Sequence, residues 1–287
     1  MAFHAATAIR ALTITSLGGL LFSMGLRLTW PGMLASLRGN RLGWILPVNF
    51  IFVPVLTFAV VRLFQIPTNI AVGMMLLAGA PFAPVVPIFT KMARGDMALA
   101  GALTALFPFF AAFLTPLVCE LSLGPLLGTG ALKFNFLTIL TVLVATITLP
   151  LAIGVACAHY LPALGGRLLQ PCEIISEGAG AVSLAFVTVV EFQNILATGG
   201  KSLLAMACVS EIALLAGYLT SGPASGARRV VALGTSNRNI ALAVLVAIES
   251  FPGTPIVAAV VANGLVLIFL GLLHVACWRF SSPGKSS

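Results

Sequence analysis

Apolar runs of about 20 residues, each closed off by charge, proline or glycine, follow one another along the whole chain and decide what it can fold into. They fall at residues 8–26, 42–64, 68–90, 97–121, 134–160, 176–197, 202–221, 230–249 and 255–279. A run of that length is what a helix needs to cross the hydrocarbon core of a bilayer. Unpaired backbone groups are so costly in lipid that helices are the default for such runs. The sequence therefore predicts an all-α polytopic membrane protein, one membrane domain over residues 1–287 with about nine transmembrane helices. Only 8% of residues are charged against 60% hydrophobic, and the mean hydropathy is +1.12, which excludes an ordinary soluble domain.

The net charge of +8 does not point to nucleic acid, because the basic residues punctuate the apolar runs and do not cluster on a face. They read instead as topology. With the N-terminus outside, alternation puts Arg27, Arg38, Arg41, Lys91, Arg94, Arg167, Arg228, Arg229, Arg279 and Lys285 in the cytoplasm. Arg10, Arg62, Lys133 and Lys201 then lie outside, and the bias sets a cytoplasmic C-terminus. Trp30, Trp44, Tyr160, Tyr218 and Trp278 fall at the cytoplasmic interface, where amphipathic rings are favoured. The first run lacks an A-x-A-like cleavage site and reads as a retained span rather than a signal peptide. Cys119, Cys157, Cys172, Cys208 and Cys277 have neither redox nor zinc-ligand spacing, so no metal site is indicated. No ATP-binding motif appears either, which leaves gradients as the driving force for any transport.

Two spans are damaged as helices. The third carries Pro81, Pro84 and Pro87 at intervals of three, each without an N–H and each clashing with the preceding turn. The eighth carries Gly234, Thr235, Ser236, Asn237, Arg238 and Asn239 in an unbroken row, which competes with the helix for backbone hydrogen bonds. Both are expected to be interrupted. They run in opposite membrane directions, each preceded by a span with a polar residue (Asn49, Glu211) and followed by a long one. This is the pattern of an inverted repeat, four spans plus five, with a midplane site between discontinuous helices.

Irregular backbone at membrane depth persists only where it is buried in protein or lines a cavity, so the polar row reads as a binding site. Arg238 is an intramembrane charge, and such residues face a cavity or a partner. Glu211, in the preceding span, is its candidate partner. The two residues form either a structural ion pair or part of a substrate or proton-coupling site. Glu191 and Glu249 lie nearer span ends and read as solvated carboxylates, and Asp96, opening the fourth span, reads as a helix cap. His4, His159 and His274 lie near span ends and H-E-x-x-H is absent, which makes an intramembrane enzyme the weakest reading.

In order along the chain, "FSMGL" at 22–26, "MARGDMALAGALT" at 92–104, "FLTPL" at 113–117 and "GTSNRNIALAVLVA" at 234–247 resemble the recurrent segments of the bile acid:sodium symporter family. The resemblance implies two inverted repeats whose discontinuous helices cross at the midplane. It also implies a core domain (40–121 and 201–280) that moves against a panel domain (8–26 and 134–198). By the same resemblance Asn239 is the family's crossover asparagine, Asn263 an asparagine of its last helix, and Thr104 a sodium ligand. The remaining sodium positions depart from the pattern. Val86 and Pro87 stand for a Ser-Asn pair, Ala100 for a serine, Asn49 for a glutamine, Gly234 for the acidic residue that bridges both sodium ions, and Arg238 for a glutamine.

Sodium needs oxygen ligands, and a site that has exchanged its carboxylate for a guanidinium should repel it. The expected function is a secondary active transporter of small organic anions working by alternating access, with sodium coupling weakened or absent and no other cofactor. Thr235, Ser236, Asn237, Arg238, Asn239 and Asn263 are the candidate substrate-binding residues. Glu211, Arg238, Asn49 and Thr104 are the candidate coupling residues. A sodium-dependent symporter of ordinary type and a channel or facilitator are the alternatives; the expected partners are an organic anion and the bilayer.

Overall fold

The computed structural model describes residues 2–28, 37–38, 41–128 and 134–280, the side chains of residues 2–5 excepted. Trp30, Lys133, Lys285 and the side chain of His4 lie outside the described residues. The described residues form helices joined by short loops, with no strand among them. The helices are α1 (Ala2–Arg27), α2 (Leu42–Leu63), α3 (Thr68–Ala78), α4 (Val86–Met92), α5 (Met97–Leu127), α6 (Phe136–Tyr160) and α7 (Pro162–Val190), followed by α8 (Phe192–Leu196), α9 (Gly200–Thr220), α10 (Ser225–Ser236), α11 (Ile240–Ser250) and α12 (Ile256–Phe280). Eight helical stretches are long and apolar enough to cross a membrane when α10 and α11 are taken as one interrupted span. The pair α3 and α4 forms the remaining span, so the nine expected runs are all present as helices. This is an integral, multi-pass, all-α membrane protein.

The third span breaks where its prolines require it. Helix α3 stops at Ala78, the chain is irregular through Val85, and α4 restarts with Pro87 in its first turn, where a missing N–H costs nothing. Within the break Phe82 adopts φ 60°, a left-handed conformation that a bulky side chain takes only when its surroundings force it. The eighth span breaks more narrowly than its polar row suggests. Gly234, Thr235 and Ser236 remain in the last turn of α10, and only Asn237, Arg238 and Asn239 leave the helix, because the Asn239 side chain caps α11 by accepting the Leu242 N–H at 3.0 Å.

The two breaks meet in the middle of the bundle. The Ala83 N–H donates to the Asn237 carbonyl at 3.0 Å, and the Asn239 N–H donates to the Ala80 carbonyl at 2.8 Å. That pairing is antiparallel, so the interrupted helices run in opposite directions where they cross. It also satisfies backbone groups that lipid could not. Helices α2, α3, α9 and α12 pack around the crossing, while α1 packs mainly on α6 and α7. The α1–α6 contact is made by glycine: a Cβ on Gly25 would come within 2.8 Å of the Val155 nitrogen and 2.9 Å of the Gly154 Cα, so the two backbones touch directly.

Two spans carry a π-turn just before a proline, Val48–Phe52 before Pro54 and Val144–Thr148 before Pro150. The wider turn absorbs the missing proline N–H, as such bulges do near functional sites. Helix α7 begins at Pro162 rather than near residue 176 and continues through Pro171, so Arg167 is helical. Its 29 residues span about 43 Å, more than the hydrocarbon core, which leaves the polar first turns room to emerge from it.

Asp96 caps α5 by accepting the Leu99 N–H at 3.0 Å. Replacing Asp96 with Ala is expected to cost about 1 kcal/mol, read as a small drop in the melting temperature of the purified protein. An unchanged melt would mean that α5 starts without help from its cap.

Candidate functional site: a cavity ending on a buried arginine

Arg238 is buried at the crossing, 4% exposed, and the reason it can be there lies in α2. In the first π-turn the Val53 N–H reaches back to the Val48 carbonyl, and Pro54 has no N–H to offer. The Asn49 carbonyl is thereby released from the helix ladder, and it accepts Arg238 Nη1 at 3.2 Å. The Asn49 side chain donates to Ile45 O at 2.9 Å and to Thr235 Oγ1 at 3.2 Å, which ties α2 to α10. Arg238 Nε and Nη2 have no protein partner among the described residues. Among the described residues no carboxylate forms an ion pair with it.

Glu211, the partner expected from sequence, is therefore not the partner. It lies 2.8 Å from His274 Nε2 on α12, with 43% of its side chain exposed. The correction has a geometric cause. Glu211 and Arg238 belong to consecutive spans, but the face of α9 that meets α10 is the one bearing Ser210, Ala213 and Gly217, and Glu211 points away from it. Glu249 also departs from a freely solvated carboxylate. It pairs with Arg10 and is only 15% exposed, joining the end of α11 to α1. Glu191 remains partly exposed and accepts Asn194 Nδ2 at 2.7 Å.

From the crossing a cavity of about 800 Å3 runs between α1 and α7 on one side and α4, α5 and α11 on the other. Asn237, Arg238, Asn239 and Thr104 border it, so four of the expected residues come together. Thr235, Ser236 and Asn263 do not. They are turned toward α2, α9 and α12, where Thr235 holds Asn49 and where Ser236 and Asn263 face a second, much smaller chamber. Inward of the polar end the walls are mostly apolar, supplied by residues such as Leu20, Met24, Val85, Ile88 and Leu184.

Several wall residues went unnoticed in the sequence. Thr13, Ser16 and Ser23 of α1 and Ser183 of α7 contribute hydroxyls, with Thr13 and Ser183 bonded to each other at 2.9 Å. Spacings of three and seven place the α1 hydroxyls on one helical face, a period that was there to be read. Glu173 closes the wall with a 2.6 Å ion pair to Arg27, and Glu177, one turn further along α7, borders the cavity. Glu173 could not be placed while α7 was taken to start at 176, and Glu177 fell inside that run without being singled out.

Of the sodium positions implied by the family pattern, Thr104 Oγ1 and Asn49 Oδ1 are buried oxygens without a partner among the described residues, whereas Gly234, Val86 and Ala100 offer no side-chain oxygen. A Cβ on Gly234 would fall within the ring of Phe82, closer than the 3.0 Å that Cβ contacts respect. The place of a carboxylate is thus filled by an aromatic ring, which stacks on Phe107 at 4.5 Å, with Phe50 beyond at 5.9 Å. Val86 and Ala100 are fully buried and apolar. Among the described residues no group of three or more His, Cys, Asp or Glu side chains could hold a metal ion.

Comparison with known proteins places the chain. The model of the Sodium Bile acid symporter family matches residues 14–198. The chain is 26% identical over 271 residues to the "Probable sodium/metabolite cotransporter BASS2, chloroplastic" of Oryza sativa subsp. japonica, an alignment covering 92% of this chain and 62% of that protein. It is 27% identical over 282 residues to the "Probable sodium/metabolite cotransporter BASS1, chloroplastic" of Arabidopsis thaliana, covering 96% of this chain and 67% of that protein. The chain thus spans roughly two thirds of the length of these relatives. With a matching family model over most of the helical bundle and two interrupted helices that cross at its centre, the chain belongs to the sodium bile acid symporter family.

Proposed function

We propose that the protein is a secondary transporter of small organic anions in which Arg238 supplies a fixed positive charge where a sodium-coupled relative would place a cation. One observation carries this reading: a buried guanidinium without a carboxylate partner borders a large cavity that is otherwise mostly apolar. An anion with an apolar body meets both demands, since its charge compensates Arg238 and its body fills the cavity. Asn237 and Asn239 border the same end and offer further polar contacts.

Transport follows by alternating access. The core comprises residues 40–121 and 201–280, the panel residues 8–26 and 134–198, and the cavity lies between the two. The cavity lining reaches Arg27 and Glu173 but neither Arg10 nor Glu249, whose ion pair joins the panel helix α1 to the core at the other end of α1. With the N-terminus outside and the C-terminus in the cytoplasm, the cavity lies nearer the cytoplasmic end of α1. Sodium coupling is weakened or lost, because Phe82 occupies the space of the missing carboxylate.

The relatives named as sodium/metabolite cotransporters favour a second reading, an ordinary sodium-dependent symporter. One experiment separates the two: melting of the purified protein in sodium chloride and in choline chloride at equal ionic strength, each with a panel of organic anions. Ligands that bind only the folded state raise the melting temperature by mass action. An anion that stabilises equally in both salts supports the proposal. Stabilisation by sodium alone, or an anion effect that requires sodium, establishes the symporter instead. Saturable counterflow in liposomes then excludes a channel.

A further inference from the structure

A second chamber, of about 20 Å3, adjoins the crossing and shares only Arg238 and Leu267 with the large cavity. Its polar rim consists of Thr57, Ser210, Ser236, Arg238 and Asn263, and the rest of its wall is apolar. All five are at least nine-tenths buried. A space of this size holds one water-sized occupant and excludes polyatomic anions such as carboxylates.

The chemistry of the rim selects the charge of that occupant. No acidic side chain borders the chamber. Thr57 spends its hydroxyl hydrogen on Val53 O at 2.8 Å, while Ser210 and Asn263 bring a hydroxyl and an amide to the same rim. Arg238 brings a full positive charge, with Nε and Nη2 unpartnered. A water molecule could accept one or two of these hydrogen bonds, yet it would leave the charge uncompensated in apolar surroundings, where compensation matters most. We propose that the chamber binds a single monatomic anion of chloride size, which serves as the counter-ion of Arg238 while the large cavity holds no organic anion. The site is separate from the one proposed for the organic anion, although both draw on the same guanidinium.

The test uses the full chain, purified in detergent without any organic anion. Its melting temperature is followed in sodium fluoride, chloride, bromide, iodide, nitrate and sulfate at constant ionic strength. Size excludes iodide, nitrate and sulfate and the cost of dehydration disfavours fluoride, so a saturable rise with chloride and bromide should exceed the effect of every other salt. General salt effects instead rank sulfate highest and iodide lowest, in one monotonic series, and that result would overturn the proposal. Arg238→Gln, and Ser210→Leu, which fills the chamber, should each abolish the chloride-specific rise; a rise retained in Arg238→Gln puts the halide elsewhere and equally refutes the site. If neither variant folds, the wild-type salt series still decides. Halide binding is read here without substrate, whereas the organic-anion screen runs at constant chloride, so either reading can fail alone.

Discussion

Gly234→Ala is expected to lose most of its folded yield, with a cost of about 3 kcal/mol. The added methyl would enter the ring of Phe82, and that ring has nowhere to go. It is buried, stacked on Phe107, and attached to a backbone already held at φ 60°. Helix α10 cannot retreat either: Gly217 of α9 lies against its other side, where even a Cβ would come within 2.6 Å of the Val231 carbonyl and 2.7 Å of Thr235 Oγ1. Strain of this kind has a signature in a double-mutant cycle. Phe82→Ala alone should destabilise by about 3–5 kcal/mol through the cavity it leaves. The double variant Phe82→Ala, Gly234→Ala should be no less stable than Phe82→Ala, since the methyl then enters empty space. If Gly234→Ala melts with the wild type, the packing of Phe82 against α10 is wrong, and with it the account of why a carboxylate is missing there.

Arg238→Gln separates function from stability. Removing one member of a buried charge pair with a ligand typically costs 2–5 kcal/mol, so affinity for any stabilising organic anion should fall by at least about 30-fold. The empty protein should behave differently. In halide-free buffer Arg238 has only the Asn49 carbonyl to satisfy it, and deleting an uncompensated buried charge is neutral or stabilising. The melting temperature of the ligand-free variant should therefore equal or exceed that of the wild type. Had Glu211 been the partner, the same substitution would strand a carboxylate in the bundle and lower the melt. Glu211→Gln is expected to leave organic-anion affinity unchanged, because that side chain faces His274 and not the cavity. Loss of anion binding in Glu211→Gln would restore the expected Arg238–Glu211 coupling.

The family motifs explain their own departures once they are placed in three dimensions. Gly234 and Phe82 lie 152 positions apart in sequence and look unrelated there. In the crossing they are a single substitution: the glycine makes the notch and the aromatic ring fills it. Arg238 likewise depends on Pro54, a residue of another span, because the proline and the π-turn before it release the carbonyl that the guanidinium needs.

What the sequence determined by itself was everything set by local chemistry and by the bilayer. Nine apolar runs fixed the number and approximate ends of the spans, since the hydrocarbon core imposes a length on every helix that crosses it. Prolines at 81, 84 and 87 and the polar row from 234 to 239 located the two breaks, because missing N–H groups and competing side chains act within one or two turns. Asp96 was readable as a cap for the same reason. Tertiary structure alone decided which helical faces meet and which side chains share a cavity. Whether Glu211 meets Arg238 or His274 depends on the rotation of α9 against its neighbours, an angle set by the summed packing of small residues such as Ala213 and Gly217. The start of α7 was masked by Pro171, which a helix flanked by α1 and α6 can tolerate, and with it the wall residue Glu173 was hidden. The division of the polar row into one set facing the large cavity and another facing the small chamber follows from the helical phase of α10 against the crossing. No single segment of the chain carries that phase.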